Sequence, residues 1–176
     1  MAHITSIGAG IFSALAVSTA AITDLTTVDT VAELEALFAT TGFTEIKNVR
    51  EFPQIGTPAN IVNVPVYGQK TSSQIQGQAD APSLEMTINY IPAVWAPGTT
   101  LGALVGDGNV YAFQFSLLNA KPAALTSAGL ATVANSNFYF IGKVEAILVS
   151  PNLTDANQAT LTLSILGDFF GPTTQS

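Results

Sequence analysis

The chain has 176 residues, of which 48% are hydrophobic and only 10% are charged, and its net charge is -7 at pH 7. A charged share this far below the usual ~25% excludes a disordered chain and predicts that much of the surface is buried against other copies of the protein. The acidic balance opposes nonspecific binding to a phosphate backbone, and the absence of cysteine excludes disulfides and thiolate metal sites.

The chain opens with an uncharged apolar run, Ile4 to Thr23. Met1-Ala2-His3 carries no Lys or Arg and so lacks the basic region that starts a secretion signal. Glycines, serines and threonines dilute the run, which disfavours a transmembrane helix. The length suits one domain. We therefore expect a single domain over residues 1–176, with an apolar N-terminal segment of about residues 1–25 and no membrane partner.

The clearest predicted helix is Val31 to Thr40. Asp29 or Thr30 can cap its start, and Glu33 completes a Thr-x-x-Glu capping box. The apolar stripe that would face a sheet consists of Leu34, Leu37 and Phe38.

From Phe43 onward, apolar and polar residues alternate, which is typical of half-buried strands. The predicted fold is therefore mainly β, a β-sandwich or barrel with a flanking α-helix, and only a short helix is expected at Thr99–Val105. The predicted strands are Phe43–Phe52, Ile61–Tyr67, Thr71–Gln78, Leu84–Tyr90, Asn109–Leu118, Asn137–Val149 and Ala159–Leu166.

The strand at Leu84–Tyr90 alternates cleanly, so Glu85, Thr87 and Asn89 share a face that cannot be core. The aromatic residues, which concentrate in the later strands, are expected to pack between two sheets. Tyr139 is out of step with Phe138 and Phe140, which makes it a candidate for a subunit contact.

Three small motifs suggest chemistry that their context does not support. His3 is the only histidine and lies at the chain start, so Ser-His-Asp catalysis and histidine zinc sites are disfavoured. Gly8-Ala9-Gly10 imitates a dinucleotide-binding turn, but strands follow one another here where that fold needs alternating helices. Asp107-Gly108-Asn109 is too short for a calcium loop and predicts a tight turn.

Carboxylate pairs are the remaining route to catalysis. Glu45 with Glu51, or Glu85 with Glu145, could meet across strands and share acid and base work. The chain has one Trp, so a cleft lined with aromatic platforms is not indicated, and isolated carboxylates are mostly solvated. We expect no enzyme activity, no catalytic residues, no metal and no cofactor.

The order of features from Val31 on resembles the major tail tube proteins of long-tailed, non-contractile bacteriophages. The resemblance covers roughly residues 30 to 170. It is carried by the capped helix, the charged strand Phe43–Phe52, Val64-Pro65-Val66-Tyr67-Gly68, the polar arm Gln69–Gln78, and the strand entry Asp80-Ala81-Pro82-Ser83 leading into Leu84–Tyr90.

The resemblance implies a structural virion protein that self-assembles into stacked six-membered rings. The stack forms a hollow tail tube, assembled in the host cytoplasm with other tail proteins, through which DNA passes during ejection without specific binding. The family has no catalytic residues. Few charges and a negative balance agree with a tube whose acidic wall repels phosphate.

Two sets of residues acquire roles from the resemblance. The arm implied to contact the adjacent ring comprises Gln69, Lys70, Thr71, Ser72, Ser73, Gln74, Ile75 and Gln76. The strand face implied to line the lumen consists of Glu85, Thr87 and Asn89, although alternation alone leaves open that this face looks toward outer solvent.

Two other classes of protein stay open at this point. One is another self-assembling β-rich protein, such as a pilus, capsid-decoration or secretion-tube component. The other is a β-sandwich that binds a carbohydrate or another ligand.

Overall fold

Strands dominate the computed structural model, which describes residues 10–40, 42–56, 61–76, 83–133 and 135–174. Within these ranges lie ten strands and three α-helices. The strands are β1 (Ala14–Ser18), β2 (Phe43–Glu45), β3 (Val49–Glu51), β4 (Ile61–Val64), β5 (Ser73–Gln76), β6 (Leu84–Asn89), β7 (Tyr111–Leu118), β8 (Asn135–Ser150), β9 (Gln158–Ile165) and β10 (Phe170–Thr173). The α-helices are α1 (Val31–Thr40), α2 (Pro92–Trp95) and α3 (Ser127–Leu130), and 3-10 turns cover Gly10–Phe12, Leu25–Thr27 and Gly102–Leu104.

Eight of the strands form one antiparallel sheet in the order β2-β1-β7-β8-β9-β6-β3, with β10 paired to β8. The sixteen-residue strand β8 organises this sheet. Its first half, up to Gly142, pairs with β7, and its second half, from Gly142 to Ser150, pairs with β9. Strand β10 pairs with the first half of β8 at Tyr139 and Asn137.

The sheet is curled, because its two edge strands are neighbours in the sequence. Strands β2 and β3 lie at opposite ends of the sheet order but are separated only by residues 46–48. A link of that length spans at most about 14 Å, so the two edges approach each other. The predicted single strand Phe43–Phe52 is therefore wrong: the chain leaves one edge of the sheet and enters the other.

The link is hydrogen-bonded to the strand beside each edge, β1 on one side and β6 on the other. The Ile46 amide donates to the Leu15 carbonyl at 2.8 Å, and the Asn48 carbonyl accepts from the Asn89 amide at 2.9 Å. Asn48 adopts a left-handed conformation with φ of 63°, which asparagine tolerates better than most residues. The chain thereby turns from β2 toward β3 without losing these backbone hydrogen bonds.

The main core fills the inside of the curled sheet. Phe113 on β7 and Phe140 on β8 stack there with ring centroids 5.0 Å apart. Trp95 on α2, with Leu101 and Leu104 at the following 3-10 turn, is buried in the same cluster. The predicted mainly β fold with a flanking helix is confirmed, and of the predicted alternatives, sandwich or barrel, the single curled sheet is a half-barrel. The aromatic residues expected between two sheets pack against this one sheet.

A second, smaller core lies on the outer side of the sheet beneath α1. Leu34 and Phe38 of the helix pack there with Tyr139 and Ile141 of β8. Tyr139 is fully buried in this cluster, so the prediction that it forms a subunit contact is wrong. Its alternation out of step with Phe138 and Phe140 reflects a second packed layer formed by α1.

Strand β1 accounts for the middle of the apolar N-terminal run, of which residues 4–9 lie outside the described ranges, as does His3. All five residues Ala14–Ser18 are buried, because β1 lies inside the sheet between β2 and β7. A strand covered on both faces has no polar face to alternate with. In the described ranges, no helix is long and apolar enough to span a membrane. Gly8 and Ala9 lie outside the described residues.

Candidate interaction surfaces

Strands β4 and β5 form a separate two-stranded hairpin that pairs with no other strand of the described chain. Residues 61–72, Gln74 and Ile75 are all exposed. The exposed large apolar side chains of the hairpin are Ile61, Val62, Val64, Val66, Tyr67 and Ile75. An exposed apolar set of this kind marks an interaction surface.

The two faces of the hairpin differ in polarity: Val62, Val64 and Ile75 share one face, whereas Asn63 and Gln74 share the other with Ile61. Val62 pairs directly with Ile75, and Asn63 pairs directly with Gln74. Because side chains alternate along a strand, the first pair projects to one side of the hairpin and the second pair to the other. The apolar side is the one that an assembly would cover.

The residues predicted to contact an adjacent ring, Gln69–Gln76, form the end of the hairpin loop and strand β5. Gly68 makes the turn with φ of 85°, and the Gln69 amide donates to the Val66 carbonyl at 3.2 Å. The sequence analysis predicted both extended segments, Ile61–Tyr67 and Thr71–Gln78, but did not predict that they pair with each other. The available signal was a Tyr-Gly turn between two extended runs.

The residues predicted to line a lumen lie together on the outer face of β6. Glu85 is exposed and Thr87 and Asn89 are half-buried, whereas Leu84, Met86 and Ile88 point into the core. The cross-strand partners of Glu85 and Thr87 on β9 are Thr162 and Thr160. The predicted shared face is confirmed, and it continues across β9 as a surface of small hydroxyl side chains.

This outer sheet face carries more carboxylates than cations. Glu51 of β3 pairs with Thr87, and Glu145 accepts a hydrogen bond of 2.5 Å from the Ser164 hydroxyl of β9. Lys143, which pairs with Ser164, is the cation of this face. Together with Glu85, the face presents three carboxylates and one ammonium group, so it repels polyanions more than it attracts them.

The members of each carboxylate pair considered for catalysis lie on different strands. Glu45 and Glu51 lie on the opposite edge strands β2 and β3. Glu85 is paired with Thr162, while Glu145 is held by Ser164. Over the described ranges, no three acidic or histidine side chains are grouped as metal ligands.

An open cleft of about 700 Å³ lies at the seam between the two sheet edges and is lined by Glu45, Asn48 and Phe52. Of the five cationic residues in the chain, Lys47, Arg50 and Lys121 line it. Arg50 forms an ion pair of 2.9 Å with Asp155, and Lys47 lies 4.0 Å from Glu45. Acidic neighbours therefore largely compensate this concentration of positive charge.

A smaller cavity of about 320 Å³, open to solvent, lies beside the start of α1, and its charged lining residues are carboxylates. Its apolar lining includes Val28, Ile141 and Phe170, and Asp29 and Asp168 lie at its margin. A hydrogen bond to Glu33 and repulsion by its charge raise the pKa of Asp29. Neither aspartate forms an ion pair within the described ranges.

Comparisons with known proteins leave the family of this chain open. Neither a protein-family model nor a curated protein matches it. Among solved structures, it is similar to one chain of the six-fold symmetrised cryo-EM structure of the anti-feeding prophage (AFP) baseplate, with a TM-score of 0.47 and 9% sequence identity. The match covers 75% of this chain and 86% of that chain. A likeness this distant leaves function to be argued from the geometry of the protein itself.

Proposed function

We propose that this protein is a structural subunit of a phage-type tail tube. In this proposal, copies form hexameric rings that stack into a hollow tube, whose electronegative lumen conducts DNA during ejection. The observation that carries self-assembly is the β4–β5 hairpin, which holds six large apolar side chains in solvent. Contact with a partner surface would remove this apolar area from water, which favours assembly.

The outer face of β6 and β9 supports the lumen assignment. It presents hydroxyl and amide side chains with three carboxylates, Glu51, Glu85 and Glu145, and the cation Lys143. Such a wall offers DNA few attractive contacts, so DNA would slide along it and not bind. Glu85, Thr87 and Asn89 are proposed to face the bore.

The hairpin is proposed to make the contact between adjacent rings, through Gln69–Gln76 and the strand β4 that supports them. Neither core cluster includes a hairpin residue, so the hairpin can bind another copy without unfolding the body. The subunit would be part of a virion tail, with other tail proteins as further partners. No catalytic residue or cofactor is part of this function.

Electron microscopy of the purified protein, combined with analytical ultracentrifugation, tests the proposal. We expect hollow tubes or rings with a central pore and six-fold symmetry. A well-behaved monomer at high concentration, with no rings or tubes, would overturn self-assembly. Solid fibres would contradict the tube and favour a pilus-like protein.

A pair of matched hairpin variants tests which face of the hairpin is used. Val62→Ser with Ile75→Ser removes the apolar face at one directly paired position, and Asn63→Ser with Gln74→Ser alters the polar face at the adjacent pair. We expect the first double variant to remain folded but unassembled, and the second to form tubes. Equal assembly by both would contradict a role for the apolar face.

A further inference from the structure

The tip of the hairpin presents one aromatic ring and one cation. The relative exposure of Tyr67 is 108%, so its side chain is fully exposed to solvent. Lys70 is the only charged residue between Ile61 and Gln76, and it forms no ion pair in the part of the chain that the structure describes. Aromatic side chains displayed in this way are frequent anchors of protein interfaces.

The cavity beside α1 is complementary to that tip. It has an apolar lining that includes Val28 and Phe170, and two carboxylates, Asp29 and Asp168, at its margin. Its volume of about 320 Å³ lies at the small end of the ~300–1,000 Å³ range of ligand pockets. A single aromatic side chain therefore suits it better than a larger ligand.

We infer that Tyr67 of one copy inserts into the cavity beside α1 of a second copy, where Lys70 lies close to Asp29 and Asp168. This inference rests on the proposed self-assembly and names the receptor for the hairpin. Tyr67 of the same chain is fully exposed, so it does not occupy its own cavity. The hairpin tip and the cavity are different surfaces of one chain, so the contact is head-to-tail. Contacts of this type repeat from copy to copy and build rings or stacks.

The distribution of cations favours Lys70 as the partner of this acidic margin. Lys47, Arg50 and Lys121 line the cleft between the two sheet edges. Lys143 lies on the outer face of the sheet, opposite Ser164 of β9. Lys70 is the cation carried on a projecting element. Repulsion between Asp29 and Glu33 would be relieved by a cation from a neighbouring copy.

Mixed cysteine variants test the contact directly, because the chain has no cysteine of its own. One preparation carries Gln69→Cys at the hairpin tip, and the other carries Leu25→Cys, a half-exposed position that lines the cavity. After co-assembly and mild oxidation, we expect a disulfide-linked dimer containing one chain of each kind. The control replaces Leu25→Cys by Leu153→Cys, at a fully exposed position of the β8–β9 connection, and should give no such dimer.

Substitutions test the two components of the contact. Tyr67→Ala should raise the concentration needed for assembly about thirtyfold or more, as loss of an interface anchor does, whereas Tyr67→Phe should keep it within about threefold because the ring remains. Lys70→Glu should weaken assembly about three- to tenfold. Adding Asp168→Lys to Lys70→Glu should restore assembly.

The outcomes separate the inference from the proposed function. The docking site would be overturned, and the proposed tube would stand, if two results are found together. The first is tubes in which Gln69→Cys and Leu25→Cys form no disulfide. The second is normal tube assembly by Tyr67→Ala. Absence of any assembly by the unmodified protein would overturn both. Cross-linking to the cavity together with rescue of Lys70→Glu by Asp168→Lys would support the inference.

Discussion

Gly142 is the residue at which β8 changes from pairing with β7 to pairing with β9. It pairs with Tyr111 of β7 on one side and with Ile165 of β9 on the other. A Cβ atom at this position would lie 2.4 Å from the Ser164 carbonyl oxygen, closer than a real Cβ approaches backbone. The absence of a side chain is therefore required where the two halves of the sheet meet.

We predict that Gly142→Ala lowers the free energy of unfolding by about 1–3 kcal/mol, because the backbone of β9 must move to admit the methyl group. Urea unfolding monitored by circular dichroism measures the change. Gly42→Ala is a matched control, since its Cβ would meet only Thr19 Oγ1 at 3.5 Å. Equal loss of stability in both variants would show that the approach of β9 is not the cause.

Tyr139 is the residue whose titration should affect stability. Burial, with a further contribution from the charge of Glu35, raises the pKa of Tyr139 to about 12. The unfolded chain releases this proton near pH 10. A phenol with a raised pKa contributes stability that is complete below pH 10 and is lost as pH rises toward about 12.

We therefore predict that the urea midpoint falls between pH 10 and pH 12, and that the fall is smaller in Tyr139→Phe, which has no proton to release. Tyr111→Phe is the comparison. Burial and the hydrogen bond to Asp107 also raise the pKa of Tyr111, but by less. If Tyr139→Phe loses as much stability as the unmodified protein over this range, burial of Tyr139 does not govern the alkaline transition.

At the scale of elements, α1 illustrates a local signal supported by tertiary contacts. Both halves of the predicted capping box form: the Glu33 amide donates to Thr30 Oγ1 at 3.3 Å, and the Thr30 amide donates to Glu33 Oε2 at 3.1 Å. A ten-residue helix is marginal alone. Leu34 and Phe38, buried over β8, supply the packing that keeps it helical.

Loss of the cap has a predictable cost. Thr30→Ala should lower the free energy of unfolding by about 1 kcal/mol, whereas Thr30→Ser should stay close to the original value because the hydroxyl remains. Thermal and urea unfolding of the two variants give the comparison. A Thr30→Ser variant as unstable as Thr30→Ala would indicate that the methyl group, and not the cap, is what matters.

At the scale of the whole molecule, the proposed tube would place identical Glu85 side chains around a bore. Neighbouring carboxylates on separate subunits repel weakly at physiological salt, where screening acts over ~8 Å. DNA in transit meets all of them together. The wall therefore costs the assembly little and still discourages binding of the genome.

We predict that Glu85→Lys slows genome ejection from assembled particles and that added salt relieves the delay, because the new ammonium groups hold phosphate. Glu35→Lys makes the same charge change on α1, which covers β7, β8 and β10 of the outer face and not β6 or β9, and should leave ejection unchanged. Unaltered ejection from correctly assembled Glu85→Lys tubes would remove Glu85 from the lumen wall.

The sequence by itself determined the features that depend on near neighbours in the chain. The capping box at Thr30 and Glu33, the bounds of α1, the mainly β class and the shared face of Glu85, Thr87 and Asn89 all follow from local geometry and alternation. The tertiary structure decided what covers each face. Alternation states that Tyr139 and Phe140 point in opposite directions, but only the packing of α1 over β8 shows that both are buried. In the same way, the break in Phe43–Phe52 and the pairing of β4 with β5 depend on contacts between residues that are distant in the sequence. The free energy gained from such contacts cannot be read from a local sequence pattern.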